Sequence, residues 1–309
     1  MLIGVTGGTG FIGRYLVERL ISKGHRLRCW RRPQSDLKPF RKHEDSIEWI
    51  EGDLSDEVSI DQLVEGVDAV VHSALERPGD SSFRQASQVD VLAFTEMNFL
   101  GSLRLMEKAR RQNVDRFVHV STCAVHEIIL EDRPLDEAHP VWPKTHYGAH
   151  KAALEAYVAS YGYGQDWPIC AVRPCGVYGV ARPVKNSKWY GLVGRVMAGE
   201  KISTKEGGKE VHAADVAKAI EILLLADKEA VTGRCFNCCD QYVSKQHVAE
   251  IVKRLTDSPS EIDDLAKGPK HQIVTTRLEE LGMKFGGEAL LEETIGRLIK
   301  AHEKKDKSE

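Results

Sequence analysis

The stretch Val5-Thr6-Gly7-Gly8-Thr9-Gly10-Phe11-Ile12-Gly13 limits what this chain can fold into more than any other part of its 309 residues. It follows the apolar run Leu2-Ile3-Gly4-Val5 and opens a pattern of apolar positions at Ile12, Leu16, Leu20 and Ile21. Across the glycines the period changes from that of a strand to that of a helix. Gly7 can take a tight turn, Gly10 lets the backbone approach a phosphate, and Gly13 lets the helix pack closely on the strand. The first N–H groups of a helix have no partner within it and favour an anion, so this corner suits the pyrophosphate of a dinucleotide. A glycine turn with no ligand is the plainer alternative, and the strand-turn-helix setting argues against it.

The same alternation continues. Apolar runs at residues 26–30, 46–50, 69–71 and 117–121 are separated by helical spacing at 58–64 and 96–111. Two further runs, 169–172 and 233–237, each follow a helix candidate, at 148–159 and 214–225. Strand and helix in this order predict an α/β fold, a Rossmann-type doubly wound parallel sheet of roughly six or seven strands. Between residues 174 and 210 the periodic signal thins, and after Asp240 the chain reads as largely helical. The expected organisation is therefore a dinucleotide-binding domain at 1–173 and 211–240. A smaller, interleaved substrate lobe at 174–210 and 241–302 would close over the dinucleotide, followed by a frayed tail at 303–309.

Forty-three Lys plus Arg against forty-six Asp plus Glu give a net charge of -3, without the basic footprint of a nucleic-acid binder. No run approaches the roughly 18 apolar residues of a membrane span, and the expectation is a cytoplasmic protein acting on a small molecule, with room for a homodimer. The seven cysteines are scattered, an arrangement that does not resemble a disulfide framework. Cys235-Phe236-Asn237-Cys238-Cys239 has the gap of a zinc knuckle but no second ligand pair, and a buried strand explains it better.

The glycine run together with Tyr147-Gly148-Ala149-His150-Lys151 resembles the extended short-chain dehydrogenase/reductase family, also called the NAD-dependent epimerase/dehydratases. Gly52-Asp53-Leu54, Val70-Val71-His72-Ser73-Ala74, Val120-Ser121-Thr122, Val172-Arg173-Pro174 and Val211-His212-Ala213-Ala214-Asp215 occur in the family's order. The resemblance covers about residues 1–240. It implies a cofactor held by Gly7, Gly10, Phe11, Ile12, Gly13, Asp53, Leu54, Ser73 and Ala74, with Asp53 on the adenine amino group. A turn or helix cap before Ser55-Asp56-Glu57 is the alternative for Asp53.

An acidic residue after the second strand usually receives the adenosine ribose hydroxyls of NAD. Here Trp30-Arg31-Arg32-Pro33 stands there. Guanidinium groups cannot accept those bonds but pair well with a 2′-phosphate, so Arg31 and Arg32 favour NADP over NAD. Solvated surface charge is the alternative reading of both.

Tyr147 and Lys151 are four residues apart at the start of a helix candidate, on one face. An ammonium beside a phenol favours the phenolate and brings it towards the range of a general base. The resemblance assigns Lys151 to the nicotinamide ribose as well, and makes Thr122 the hydroxyl that bonds the reacting oxygen. Ser121 is the neighbouring candidate, with lining the nucleotide or capping the strand as its other role; Asn98 reads as a structural or solvent-linking residue or a plain helix-surface one, and His126 as a pocket-lining or surface residue. The family's dehydratases carry an acidic pair after the Thr, where this chain has Cys123-Ala124, which argues against dehydration. The Arg that epimerases use for a diphosphate is missing before Val211-His212; Lys209 can substitute as a point charge and Lys185, Lys188 and Arg195 can contribute, with a solvated face the equal alternative for each. The resulting expectation is an NAD(P)-dependent reductase or epimerase acting on a secondary alcohol or ketone of a sugar-like, possibly nucleotide-sugar, substrate. The competing class is a non-catalytic NAD(P)-sensing protein on the same fold.

Overall fold

Strands buried on both faces need apolar side chains on both, and the continuous runs of the sequence become the central strands of a parallel sheet. The structure, a computed structural model, describes residues 1–77, 83–265 and 268–306. Its strands are β1 (Leu2–Thr6), β2 (Arg26–Arg31), β3 (Ile47–Glu51), β4 (Ala69–His72), β5 (Arg116–Val120), β6 (Ile169–Pro174), β7 (Gly176–Tyr178), β8 (Gly207–His212), β9 (Cys235–Cys238) and β10 (Gln241–Ser244). The helices are α1 (Phe11–Ser22), α2 (Glu57–Val64), α3 (Phe83–Val89), α4 (Val91–Thr95), α5 (Gly101–Arg111), α6 (His146–Gln165), α7 (Tyr190–Met197), α8 (Ala213–Leu225), α9 (Lys228–Val231), α10 (Lys245–Thr256), α11 (Thr276–Glu280) and α12 (Gly287–Asp306).

Seven strands form one sheet in the order β3-β2-β1-β4-β5-β6-β9, every neighbouring pair parallel. The order reverses between β1 and β4, the switch point where open α/β sheets bind ligands at their carboxyl ends. One layer of the core packs Ile60, Leu63 and Val64 of α2, Leu105 and Met106 of α5, and Leu154 and Val158 of α6 with Val70, Phe117 and Ile169 of the sheet. Every residue of β4, β5 and β6 is buried, including the polar His72, His119 and Arg173.

The chain divides into two units, Met1–Pro174 with Val216–Cys238 and Val274–Met283, and Cys175–Asp215 with Cys239–Ile273 and Lys284–Glu309. The second holds a small sheet, β10-β8-β7, over a core from Tyr178, α7, α10 and α12. The sequence reading put residues 211–215 with the dinucleotide domain. They group instead with the second unit, because β8 pairs with β7 and β10. Residues 274–283 return to the first unit. After Asp240 the chain was expected to be largely helical, but it first makes β10, whose four residues pair antiparallel with β8. The tail expected to fray from residue 303 continues as α12 to Asp306, and 307–309 lie outside the described residues.

Candidate active site

The glycine turn sits where β1 meets α1, and its geometry explains its composition. Gly7 has φ +73, and a Cβ there would lie 2.7 Å from Ser73 Oγ. At Gly13 a Cβ would meet the Gly7 carbonyl at 2.0 Å, so the first turn of α1 lies directly on the loop. Gly10 is the N-cap, with extended backbone and no side-chain cap, leaving the N–H groups of the opening turn unclaimed by a capping side chain. Phe11 and Ile12, half-buried, begin the helix. Beside this turn Ser73 Oγ–H donates to the Thr6 carbonyl at 2.9 Å, while the N–H groups of Ser73 and Ala74 both reach Thr6 Oγ1 at 3.1 Å. A glycine cradle with an uncapped helix start fits a dinucleotide pyrophosphate.

Thr6 also begins a buried chain. Its hydroxyl donates to His72 Nδ1 at 2.8 Å, His72 Nε2–H donates to Ser102 Oγ at 2.8 Å, and Ser102 donates to the Asn98 carbonyl. That order follows because Thr6 Oγ1 already accepts two N–H groups and the Asn98 carbonyl can only accept. Asn98, fully buried in a π-turn (Glu96–Leu100), clamps the backbone of Glu76 with both ends of its amide, at 2.7 and 3.1 Å. It is a structural clamp on the segment after β4.

Tyr147 is in the first turn of α6, whose N-cap Thr145 accepts the Gly148 N–H at 3.1 Å. Glu127 fixes this helix start by accepting the N–H groups of Lys144 and Thr145, and pairs with Arg84 at 2.9 Å. Thr122, just past β5, caps the short turn Cys123–Val125 through the Ala124 N–H and hydrogen-bonds the Tyr147 side chain. Burial holds the Tyr147 phenol above its ordinary value, against the lowering pull of the Thr122 bond and the Arg84 charge. The spacing with Lys151 led to the opposite expectation. Lys151 instead donates to the Val120 carbonyl at 2.8 Å and is itself lowered to about 7 by burial, with Glu155 pulling the other way.

Residues 3–239 match the NAD dependent epimerase/dehydratase family. The chain belongs to this family. Among its relatives, a dTDP-glucose 4,6-dehydratase of Streptomyces niveus is 29% identical over 74% of this chain and 70% of its own length. The human dTDP-D-glucose 4,6-dehydratase is 31% identical over 57% of this chain, which spans about half of that protein, 51%. The UDP-glucose 4-epimerase of Thermotoga maritima, solved with UDP-glucose, superposes with a TM-score of 0.79 at 21% identity over 99% of each chain. The UDP-glucose 4-epimerase of Thermus thermophilus, in complex with NAD, gives 0.74 at 22% identity over 96% of this chain and 99% of that one. RMD from Pseudomonas aeruginosa, complexed with NADPH, gives 0.75 at 19% over 97% and 99%. These superpositions show a shared fold.

The other candidates in this family member fall into two groups. Arg31 and Arg32 are at the end of β2 as expected, each paired with a surface carboxylate, Glu51 at 3.2 Å and Glu76 at 3.3 Å. The Arg32 N–H donates to Ser35 Oγ, itself 3.4 Å from Thr9 Oγ1, so this loop adjoins the glycine turn. Asp53 Oδ1 accepts both the N–H and hydroxyl of Ser55, the turn weighed as its alternative role. Leu54 is buried against Gly101, where a Cβ would lie 2.6 Å from the Leu54 carbonyl. In the second unit, Lys188 and Arg195 are taken up by Glu210 and Glu200.

Sequence reasoning gave no role to the network behind Thr122. Ser121 Oγ donates to Glu155 at 2.5 Å, Arg173 holds both Glu155 oxygens at 2.9 and 2.7 Å, and Arg173 Nη1 donates to His126 Nε2 at 3.0 Å. His126 Nδ1–H donates to the Pro140 carbonyl. Both His126 nitrogens are engaged, and burial with the Arg173 charge lowers it to about 4. It is a buried structural residue, which corrects the surface or pocket-lining reading. The spacing of Lys151 and Glu155, four apart on one helix face, marked Glu155 alone; the rest of the network comes from separate elements with no local signal. Among the described residues no group of His, Cys, Asp and Glu could hold a metal, and no helix is long and apolar enough to cross a membrane.

Proposed function

We propose that the chain is a nicotinamide-dependent reductase or epimerase acting on a secondary alcohol or ketone of a polar, sugar-like small molecule, with nucleotide sugars the first class to test. The observation that carries this reading is the Thr122–Tyr147 hydrogen bond at the carboxyl end of β5, with buried Lys151 on the same helix face. Gly7, Gly10, Phe11, Ile12, Gly13, Ser73 and Ala74 would hold the dinucleotide, with Leu54 and the second oxygen of Asp53 towards its adenine. Arg31 and Arg32 would take a 2′-phosphate, which makes NADP the preferred form and NAD the alternative. Bound there, the nicotinamide supplies hydride acceptance or donation.

The chain's own part is proton handling and orientation. Held above its ordinary value, Tyr147 is a phenol at neutral pH and can donate to an oxygen gaining charge during reduction. The reverse direction needs the phenolate, which the Arg84 charge and the Thr122 bond favour, with the Lys151 ammonium on the same helix face as the further cation that would do so. Thr122 orients the same oxygen. Cys123 Sγ–H is turned to the Arg173 carbonyl at 3.0 Å and Ala124 carries no acid, so the position offers no acid and base pair for eliminating water. This argues for reduction or epimerisation in spite of the dehydratase names among the relatives.

The test is a titration of purified protein with NADPH and NADH, followed by a screen of sugars, nucleotide sugars and simple ketones for absorbance change. Cofactor binding with turnover on one substrate class supports the reading. Binding without turnover on any class favours the non-catalytic sensor.

A further inference from the structure

The charge of Lys151 reaches three histidines in the first unit, and their partners differ sharply. His72 from β4 and His119 from β5 are register partners on neighbouring strands, their ring centroids 5.3 Å apart, while His150 precedes Lys151 on α6. His72 is satisfied at both nitrogens, by Thr6 and Ser102. His119 is fully buried and His150 is 7% exposed, yet neither ring nitrogen of either has a hydrogen-bond partner. Aromatic edges close the outer side of His150, with Phe94 and Phe99 centroids at 5.5 and 6.4 Å.

Four imidazole nitrogens gathered in one buried region are not left unpaired, since a buried polar atom without a partner forfeits its hydration for nothing. Each neutral imidazole offers one donor and one acceptor. An ordered internal water takes about three such bonds and is the ordinary solution in a polar pocket. The Lys151 ammonium has three donors, and the Val120 carbonyl uses one. Its charge acts on all three rings, lowering His72 to about 3, His150 to about 2 and His119 well below its ordinary value, after burial in each case. The imidazoles are therefore neutral and able to accept.

We propose that His119 and His150 enclose ordered internal water, one molecule of it against Lys151 and the rest on their remaining nitrogens, and that they are positioning residues which solvate the Lys151 ammonium. The groups facing Lys151 are His72 from β4, His119 from β5, and His150 and Glu155 from α6, with Glu155 already held by Arg173 and Ser121. Of these, His119 and His150 alone have nitrogens left for the water. Replacing either by an apolar ring removes a partner of the water and with it part of the ammonium's solvation, so Lys151 should release its proton at lower pH.

The experiment uses the full chain without substrate, labelled with ¹⁵N in histidine and lysine side chains, with Lys151→Arg identifying the Lys151 signal. In the parent protein the ring N–H of His119 or His150 should show a cross peak to water. In His119→Phe and His150→Phe the Lys151 titration should move down by about one pH unit, a tenfold change in its protonation constant, and His119→Gln should restore it in part. A parent protein whose ring N–H groups show no contact with water overturns the proposal without any variant. So do folded Phe variants that leave the titration unmoved or raise it. The consequence for turnover rests on the role given to Lys151 above. The titration does not, so an inactive parent would sink that role and leave this measurement intact.

Discussion

The carboxyl end of β6 and the end of β2 with the loop after it both carry arginines beside carboxylates. Arg173 and Glu155 meet through two bonds with 4% and 5% of their side chains exposed, whereas Arg31 and Arg32 each make one contact with 32% and 52% exposed. Burial alone would lower Arg173, but the Glu155 carboxylate more than offsets it and holds the guanidinium above its ordinary value. A buried pair of this kind is costly to break and fixes geometry. An exposed single contact contributes about 0 to 1 kcal/mol and exchanges readily for a ligand phosphate. One region is thus suited to holding side chains still, and the other to exchanging its partners.

The sharpest test of the rigid region is its chemistry. Tyr147→Phe removes only the ionisable oxygen, so the fold and cofactor affinity should stay near those of the parent while turnover falls by roughly 100-fold to 10,000-fold. A substrate found in the screen above is required. Turnover equal to the parent would leave the fold standing and remove Tyr147 from the mechanism.

The next test separates the two kinds of ion pair. Glu155→Ala strands a buried guanidinium and should cost about 3 to 5 kcal/mol of stability, read from denaturant unfolding, whereas Glu51→Ala beside Arg31 should cost less than about 1 kcal/mol. Glu155→Met combined with Arg173→Leu should recover part of the loss, since the guanidinium goes with its carboxylate, while Ser121, His126 and Lys151 still lose a partner. Similar losses for Glu155→Ala and Glu51→Ala would erase the distinction between the regions.

How much of this was readable in advance depends on distance along the chain. The parallel strands were legible because burial on both faces leaves continuous apolar runs, as in Ala69-Val70-Val71. β10 was not, because only Val243 and Ser244 of its four residues are buried and the run is too short for a period. The glycine turn was legible because Gly7 and Gly13 answer local steric demands. The Ser121–Glu155–Arg173–His126 network joins residues 18 to 47 positions apart, which only the fold brings together. The direction of the Tyr147 shift was misread for a similar reason, since a spacing of four reports a shared face and says nothing of depth.

A smaller effect tests the buried histidines as supports of the rigid region. His126 is held at about 4 in the folded chain against about 6.5 when unfolded. Its folded value is the lower one, so the unfolded chain takes up the proton first and stability falls as pH drops from about 6.5 to about 4. The slope is about 1.4 kcal/mol per pH unit for each such histidine. Thermal midpoints measured from pH 7.5 to 5 should therefore decline, and His126→Gln should flatten the decline. A parent profile with no slope below pH 6.5 would mean that these rings are not buried and neutral.

The smallest effect expected belongs to the loop after β2, and it decides the cofactor. In NADP one added phosphate would exchange the Glu51 and Glu76 contacts for charge-assisted bonds to Arg31 and Arg32. Since the contacts given up are weak, nearly the whole gain should appear as affinity. Each Arg→Ala change should then weaken NADPH by about 1.5 to 3 kcal/mol, on the order of 10-fold to 100-fold, with little change for NADH. Glu51→Gln and Glu76→Gln work in the other direction, because they remove the competitor and should tighten NADPH slightly. Calorimetric titration of both cofactors against the parent and these four variants reads all of it at once. Equal affinity for NADPH and NADH in the parent, unchanged in either arginine variant, would return Arg31 and Arg32 to the solvated surface and leave cofactor choice to other residues.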